Sequence, residues 1–165
     1  MNTAIKANQA SQKQVLAVTD LMASLNRDAA EVIARFPVSA CTDVTGFGLL
    51  GHLAEMIENT QVGAKIFSRE VPLISGAMEF AGMGFMPGGA FRNRKFRENM
   101  VFMEGQIKPV LRDIFFDPQT SGGLLIGCPE NQAQNLVNAL HEKGIADAAL
   151  IGEVTDLNPG IISIV

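Results

Sequence analysis

The order of apolar stretches along this chain predicts an α/β (α+β) domain, layered, with helices packed on a mixed β-sheet. Three observations carry that expectation. Apolar residues recur at helical spacing in Val15, Val18, Met22, Leu25, Ala29 and Val32, and again in Ala133, Leu136, Val137 and Leu140. Short continuous apolar runs bounded by Gly, Pro or Asp alternate with those stretches at 38–42, 62–67, 123–128, 148–154 and 160–165. No repeat, low-complexity tract or linker divides the 165 residues, so a single domain over 1–165 is expected.

Taken in order, residues 1–10 read as a flexible lead-in. Ser11 followed by Gln14 resembles a capping box and opens a helix predicted over 12–35, which Pro37 stops. A strand at 38–42 follows. Thr45 is placed to cap a second helix with Leu50, Leu53 and Ile57 on its inner face, ending near Asn59. After a strand at 62–67, Pro72 is read as opening a third helix to about Ala81. The stretch 82–97, with four Gly and one Pro, reads as a loop, and 98–113 as a further helix. A buried strand at 123–128 leads to a helix started by Pro129 and ended by Gly144. Two last strands are joined by a turn at 156–159.

Composition narrows the function. Hydrophobic residues make up 47% and charged residues 18%, enough apolar mass for a core. The net charge of −4 argues against a nucleic-acid-binding surface, and the absence of Trp and Tyr removes the usual base-stacking platforms. No apolar run reaches the roughly 18–20 residues of a membrane span. The polar start of the chain does not resemble a signal peptide. Cys41 and Cys128 lie in apolar runs, which suits a reduced, cytoplasmic protein with two structural thiols.

The chemistry concentrates in two runs, Thr42-Asp43-Val44-Thr45-Gly46-Phe47-Gly48 and Asp117-Pro118-Gln119-Thr120-Ser121-Gly122-Gly123. Glycines let backbone N–H groups approach an anion, a helix N-terminus adds partial positive charge, and an Asp offers magnesium a hard oxygen. Neither run is a P-loop. Asp43 reads either as a magnesium ligand or as a turn aspartate. Thr42 and Thr45 supply hydroxyls for a ligand or a cap, and Gly46 and Gly48 admit an anion or allow a tight turn. The run Thr120, Ser121, Gly122 and Gly123 reads as a phosphate loop or a turn before the strand. A third run, Phe91-Arg92-Asn93-Arg94-Lys95-Phe96-Arg97, packs four cations into seven residues. It reads as an anion-binding loop led by Arg92 and Asn93, or as a solvated surface. His52 has no acid or nucleophile at a catalytic spacing and is read as structural.

The segment from Ala40 to His52, the run Pro87-Gly88-Gly89 with Arg92-Asn93, and the run from Phe116 to Leu125 closely resemble selenophosphate synthetase (selenide, water dikinase). The resemblance extends from about Ala4 to the end of the chain, and it is to the C-terminal half of that family. Other members of the aminoimidazole ribonucleotide synthetase superfamily carry different residues around the equivalent of Asp43. The resemblance implies that superfamily's C-terminal domain fold. It also implies a part in converting selenide, ATP and water to selenophosphate, AMP and phosphate. It implies Asp43 as the aspartate this half contributes to magnesium on ATP. It further implies ligand-side roles for Thr42, Gly46, Arg92, Asn93, Thr120, Ser121, Gly122 and Gly123. The reactive Cys or selenocysteine, the catalytic Lys and most ATP-binding aspartates belong to the family's N-terminal half, so this chain is expected to hold no catalytic residue of its own. The implied partners are that missing N-terminal half, a second copy in a homodimer, and selenide as substrate; nucleic acid and membrane are not. Ala90 departs from the Thr that usually follows Pro-Gly-Gly in the family. A stand-alone nucleotide- or protein-binding module, or a domain of another synthetase of the superfamily, are the alternative readings.

Overall fold

The chain enters its fold through a short helix, α1 (Asn2–Lys6), in the computed structural model, which describes residues 1–165. Ala4 of α1 is fully buried, so part of the stretch read as a flexible lead-in is packed against the domain. Helix α2 (Gln12–Ala23) starts at the capping box read from the sequence: the Gln14 N–H donates to Ser11 Oγ, and the Ser11 N–H donates to Gln14 Oε1. The single helix expected to Arg35 is two helices. Ser24 turns extended and closes α2, and α3 (Arg27–Ile33) begins after Asn26.

Strand β1 (Ala40–Asp43) leads to helix α4 (Gly48–Ile57), followed by strand β2 (Gly63–Ile66). Pro72 does not open a helix; the backbone turns until Gly76, at φ +86°, and helix α5 (Ala77–Gly82) starts there. The expected loop 82–97 is largely helical, as α6 (Gly88–Arg97). Pro87 is extended ahead of it, and Arg94 and Arg97 fasten it to Asp113 and Glu58. The expected helix 98–113 is instead a 3-10 turn at Glu98–Met100, strand β3 (Val101–Met103), and helix α7 (Pro109–Phe115). Strand β4 (Leu124–Gly127), helix α8 (Glu130–Glu142), and strands β5 (Gly152–Thr155) and β6 (Ile162–Ile164) complete the chain. Gly144 ends α8 at φ +91°, as its sequence position predicts.

Four strands form a mixed sheet in the order β3-β6-β2-β5. β2 runs antiparallel to β5 and parallel to β6, and β6 runs parallel to β3. One face carries Ala64, Ile66, Val101, Ile162 and Ile164 into the main core, where Leu49, Leu50, Leu53, Ala54 and Ile57 of α4 meet them. Fully burying one such leucine stabilises by about 2–3 kcal/mol, so α4 is held by its packing more than by its caps. The other face carries Lys65, Ser163 and Glu153 beside the exposed Phe102, and Lys65 crosses to Glu153 at 2.8 Å.

β1 and β4 form a separate antiparallel ribbon. Its side chains alternate between two cores. Leu125 packs on the main core, while Ile126 and Cys128 pack with Val32, Leu136 and Leu140 of α3 and α8. A two-stranded ribbon is marginal by itself, and this one is held between two helical layers. The strand expected to be buried is therefore half-buried throughout. No helix is long and apolar enough to cross a membrane.

Candidate functional site

The three runs singled out in the sequence meet at one end of the β1–β4 ribbon. Asp43 pairs with Leu124 in the ladder, and the Val44 N–H extends it by donating to the Gly123 carbonyl at 2.9 Å. The Gln119 N–H donates to the Thr45 carbonyl at 2.9 Å, which ties the loop after β1 to the loop before β4. Asn93 of α6 closes the arrangement. Its Nδ2 donates to the Gly46 carbonyl at 2.9 Å and to the Phe116 carbonyl at 3.1 Å. Asn93 thus joins the runs, with its amide N–H donors given to these two carbonyls. Asn26, at the start of α3, donates to the Gly122 carbonyl at 3.0 Å from the other side.

Close packing separates the glycines into two groups. Gly48 sits at φ +71°, and a Cβ there would stand 2.7 Å from the Phe116 carbonyl carbon. A Cβ on Gly122 would lie 2.2 Å from the Val44 carbonyl oxygen. Those two are required by the fold itself. A Cβ on Gly46 or Gly123 would meet nothing within 4 Å, and neither has a left-handed backbone. Only Gly82, at the end of α5, shares that property. Gly46 and Gly123 therefore leave open backbone beside Asp43 that the chain does not fill. Beside them, the N–H groups of Thr45, Gly46 and Phe47 donate to no group of the chain.

Asp43 is exposed, and its carboxylate makes no hydrogen bond or ion pair. No three His, Cys, Asp or Glu side chains come together to hold a metal ion. Magnesium takes close to six oxygens, so Asp43 fits as one carboxylate of a site and not as a whole one. Thr42 pairs with Leu125, and its hydroxyl donates to the Asp43 carbonyl at 3.2 Å. Thr120 is exposed and Ser121 half-buried beside it. Arg92 is exposed and unpaired, immediately before Asn93 in α6. Of the four cations in its run, Arg94 and Arg97 are engaged in ion pairs, so the cluster is less a free anion site than its composition suggested.

Thr45 does not cap α4. Phe47 occupies that position without a side-chain cap, and the Thr45 hydroxyl lies 3.2 Å from His52 Nε2. His52 is buried, its Nδ1 is 3.0 Å from Glu55 Oε2, and Phe47 leans over its ring at 5.5 Å. Nothing in the linear sequence marks Thr45, His52 and Glu55 as a unit, although their helical spacing of three allows the last two to meet. Cys41 is exposed and so is not the core thiol expected. What burial its sulfur has, and then the Asp43 carboxylate, push its thiol above the ordinary range, which disfavours a nucleophile there.

Asp117 is half-buried and its carboxyl has no hydrogen-bond partner, so burial holds that carboxyl above the ordinary range. The folded chain therefore binds this proton more readily than the unfolded chain. The resulting penalty is full above the raised value and vanishes below about pH 4, where both states are protonated. Asp117→Asn is expected to raise the melting temperature at neutral pH, with the gain shrinking as pH falls to about 4. Melting curves at both pH values check this; an equal gain at both would contradict burial as the cause.

With this geometry in place, comparison with known proteins gives the class. Residues 2–164 match the family "AIR synthase related protein, C-terminal domain". The chain belongs to that family. Its similar relatives are named selenide, water dikinase. It is 49% identical over 156 residues to the one from Pelobacter propionicus, covering 94% of this chain and 45% of the relative. It is 42% identical over 154 residues to that of Clostridioides difficile, covering 93% and 44%. It is 36% identical over 167 residues to that of Treponema denticola, covering 98% and 47%. The chain thus spans about half the length of the curated relatives it matches.

Proposed function

We propose that this chain is the C-terminal domain of an ATP-dependent selenide, water dikinase, and that it supplies one magnesium-facing carboxylate to a site completed by the family's N-terminal half. One observation carries the reading. Asp43 stands unpaired at the end of the ribbon, beside open glycine backbone and three unpartnered N–H groups that the fold does not explain. Carboxylate and N–H groups together suit a cation and the phosphate oxygens it neutralises. Bound magnesium would neutralise charge that develops on the phosphates during transfer. The chain's own residues would do the rest. Asp43 would hold the ion from one side, and Gly46 and Gly123 would let the phosphates approach the backbone. Asn93 would keep the loops that carry them in register. Thr120 and Ser121 on the loop before β4, and the exposed Arg92 on α6, would reach ligand oxygens. The reactive Cys or selenocysteine and the catalytic Lys would come from the other half, in a cytoplasmic homodimer.

A calorimetric titration with ATP and magnesium tests this. The chain alone is expected to give no measurable heat, and the chain mixed with the N-terminal half of a relative is expected to bind. Micromolar binding by the chain alone would favour the second reading, a nucleotide-binding module that stands by itself. The unpartnered N–H groups at Thr45, Gly46 and Phe47 are the observation in favour of that reading.

A further inference from the structure

Behind the Thr45 hydroxyl, His52 and Glu55 form a chain of contacts that bears on where its proton lies. His52 Nδ1 lies 3.0 Å from a Glu55 carboxylate oxygen. An ionised carboxylate only accepts, so Nδ1 must carry a hydrogen. In the neutral ring Nε2 then holds a lone pair. The Thr45 hydroxyl, 3.2 Å from Nε2, is the donor that satisfies it. With the ring neutral in that tautomer, the hydroxyl's single proton would point at the imidazole and its remaining lone pairs would face away from it. Thr45 can then receive a hydrogen bond but cannot give one.

Three features fix this arrangement. His52 is only 8% exposed, so a lone pair left without a donor would be costly. Phe47 leans on the ring, and it can do so because residue 51 is glycine: a Cβ there would stand 2.5 Å from Phe47 Cβ. The charged groups around the pair are Glu55 on α4 itself and Arg97 on α6, which is ion-paired to Glu58 and also acts on Glu55.

We propose that Glu55 and His52 are positioning residues that hold the Thr45 hydroxyl as an acceptor, and that Thr45 takes a hydrogen bond from water on the magnesium ion held by Asp43. This rests on the function proposed above. Thr45 is partly exposed, two residues from Asp43, and next to the open face of Gly46. A hydroxyl locked as an acceptor suits a hydrated cation and is mismatched to a phosphate oxygen, which also only accepts. Thr45 thereby serves the metal, while the N–H groups of 45–47 serve the anion.

Two measurements test it. The first uses the chain as it is. A long-range proton–nitrogen NMR spectrum is expected to show neutral His52 with its hydrogen on Nδ1, and Glu55→Ala is expected to let it move to Nε2. Hydrogen on Nε2 in the unaltered chain, or a doubly protonated ring at neutral pH, would overturn the proposal. The second uses a full-length enzyme carrying this domain. Thr45→Val keeps the shape and removes the hydroxyl. It is expected to raise the magnesium concentration for half-maximal AMP formation about tenfold, the effect of one lost hydrogen bond. Thr45→Ser is expected to restore it, which a purely structural role for the methyl group would not do. An unchanged magnesium dependence in Thr45→Val, with Asp43→Asn inactive, would remove Thr45 from the site and leave the dikinase reading standing. A fully active Asp43→Asn would instead remove the reading beneath it.

Discussion

Gly48→Ala is expected to destabilise the chain by about 3 kcal/mol or more, whereas Gly46→Ala, two residues away, is expected to change stability by less than about 1 kcal/mol. At position 48 two costs combine. The backbone sits at φ +71°, which an L side chain adopts only with strain. The added methyl would also stand 2.7 to 2.9 Å from the backbone of Phe115 and Phe116. Those atoms cannot retreat, because both phenylalanines are among the most deeply buried side chains of the main core. At position 46 the backbone is ordinary and the space is empty, so alanine only restricts the unfolded chain. Urea unfolding of both variants decides the matter. Equal losses at both positions would mean that the loop between β1 and α4 is held in some other way. If Gly46→Ala is as stable as expected, any loss it causes in the full-length enzyme must come from what approaches the glycine from outside.

The same contrast explains what could be read from the sequence. The alternation of elements, the capping box at Ser11 and Gln14, and the Gly144 terminator are local signals, and each is present in the fold. The misreadings arise where distant residues decide. Val101–Met103 becomes a strand because Ile162–Ile164 lies beside it, a pairing invisible within a local window. Helix α6 forms through a glycine pair and four cations because Asp113, Glu58 and the Asn93 contacts anchor it. The helix expected over 12–35 rested on an apolar stripe that included Leu25. That side chain is 81% exposed, at the break between α2 and α3.

The candidate site shows the same limit more sharply. Its two glycine runs were legible as motifs, but each contains one glycine the fold requires and one it leaves open. Spacing cannot separate Gly48 from Gly46, or Gly122 from Gly123. Only the position of Phe116 and Val44 in space does so. Asn93 was legible as a polar residue in a basic run. Its two carbonyl partners lie 47 and 23 residues away, so its part in clasping the runs together could not be read from the sequence.

Asp43→Asn is expected to lower AMP formation by a full-length enzyme carrying this domain by at least about a hundredfold, with the fold unchanged to within about 0.5 kcal/mol. The two halves of this expectation come from the same fact. The Asp43 carboxylate contacts no donor and no cation in the chain, so the amide, of equal size, costs the fold nothing that the carboxylate supplied. An amide oxygen still reaches a metal but brings no charge, and charge is what a carboxylate adds at a site of phosphoryl transfer. Asp117 provides the internal comparison. It leads the second run with its carboxyl pushed up by burial, so its replacement by Asn is expected to change stability with pH. Asp43 and Asp117 were equivalent in the sequence, each a carboxylate leading a run of hydroxyls and glycines. Their surroundings leave one carboxylate in solvent and hold the other half-buried. Melting and AMP formation measured on both variants separate the two roles. A stable Asp43→Asn enzyme with normal turnover would show that the exposed carboxylate at the end of the ribbon holds no metal.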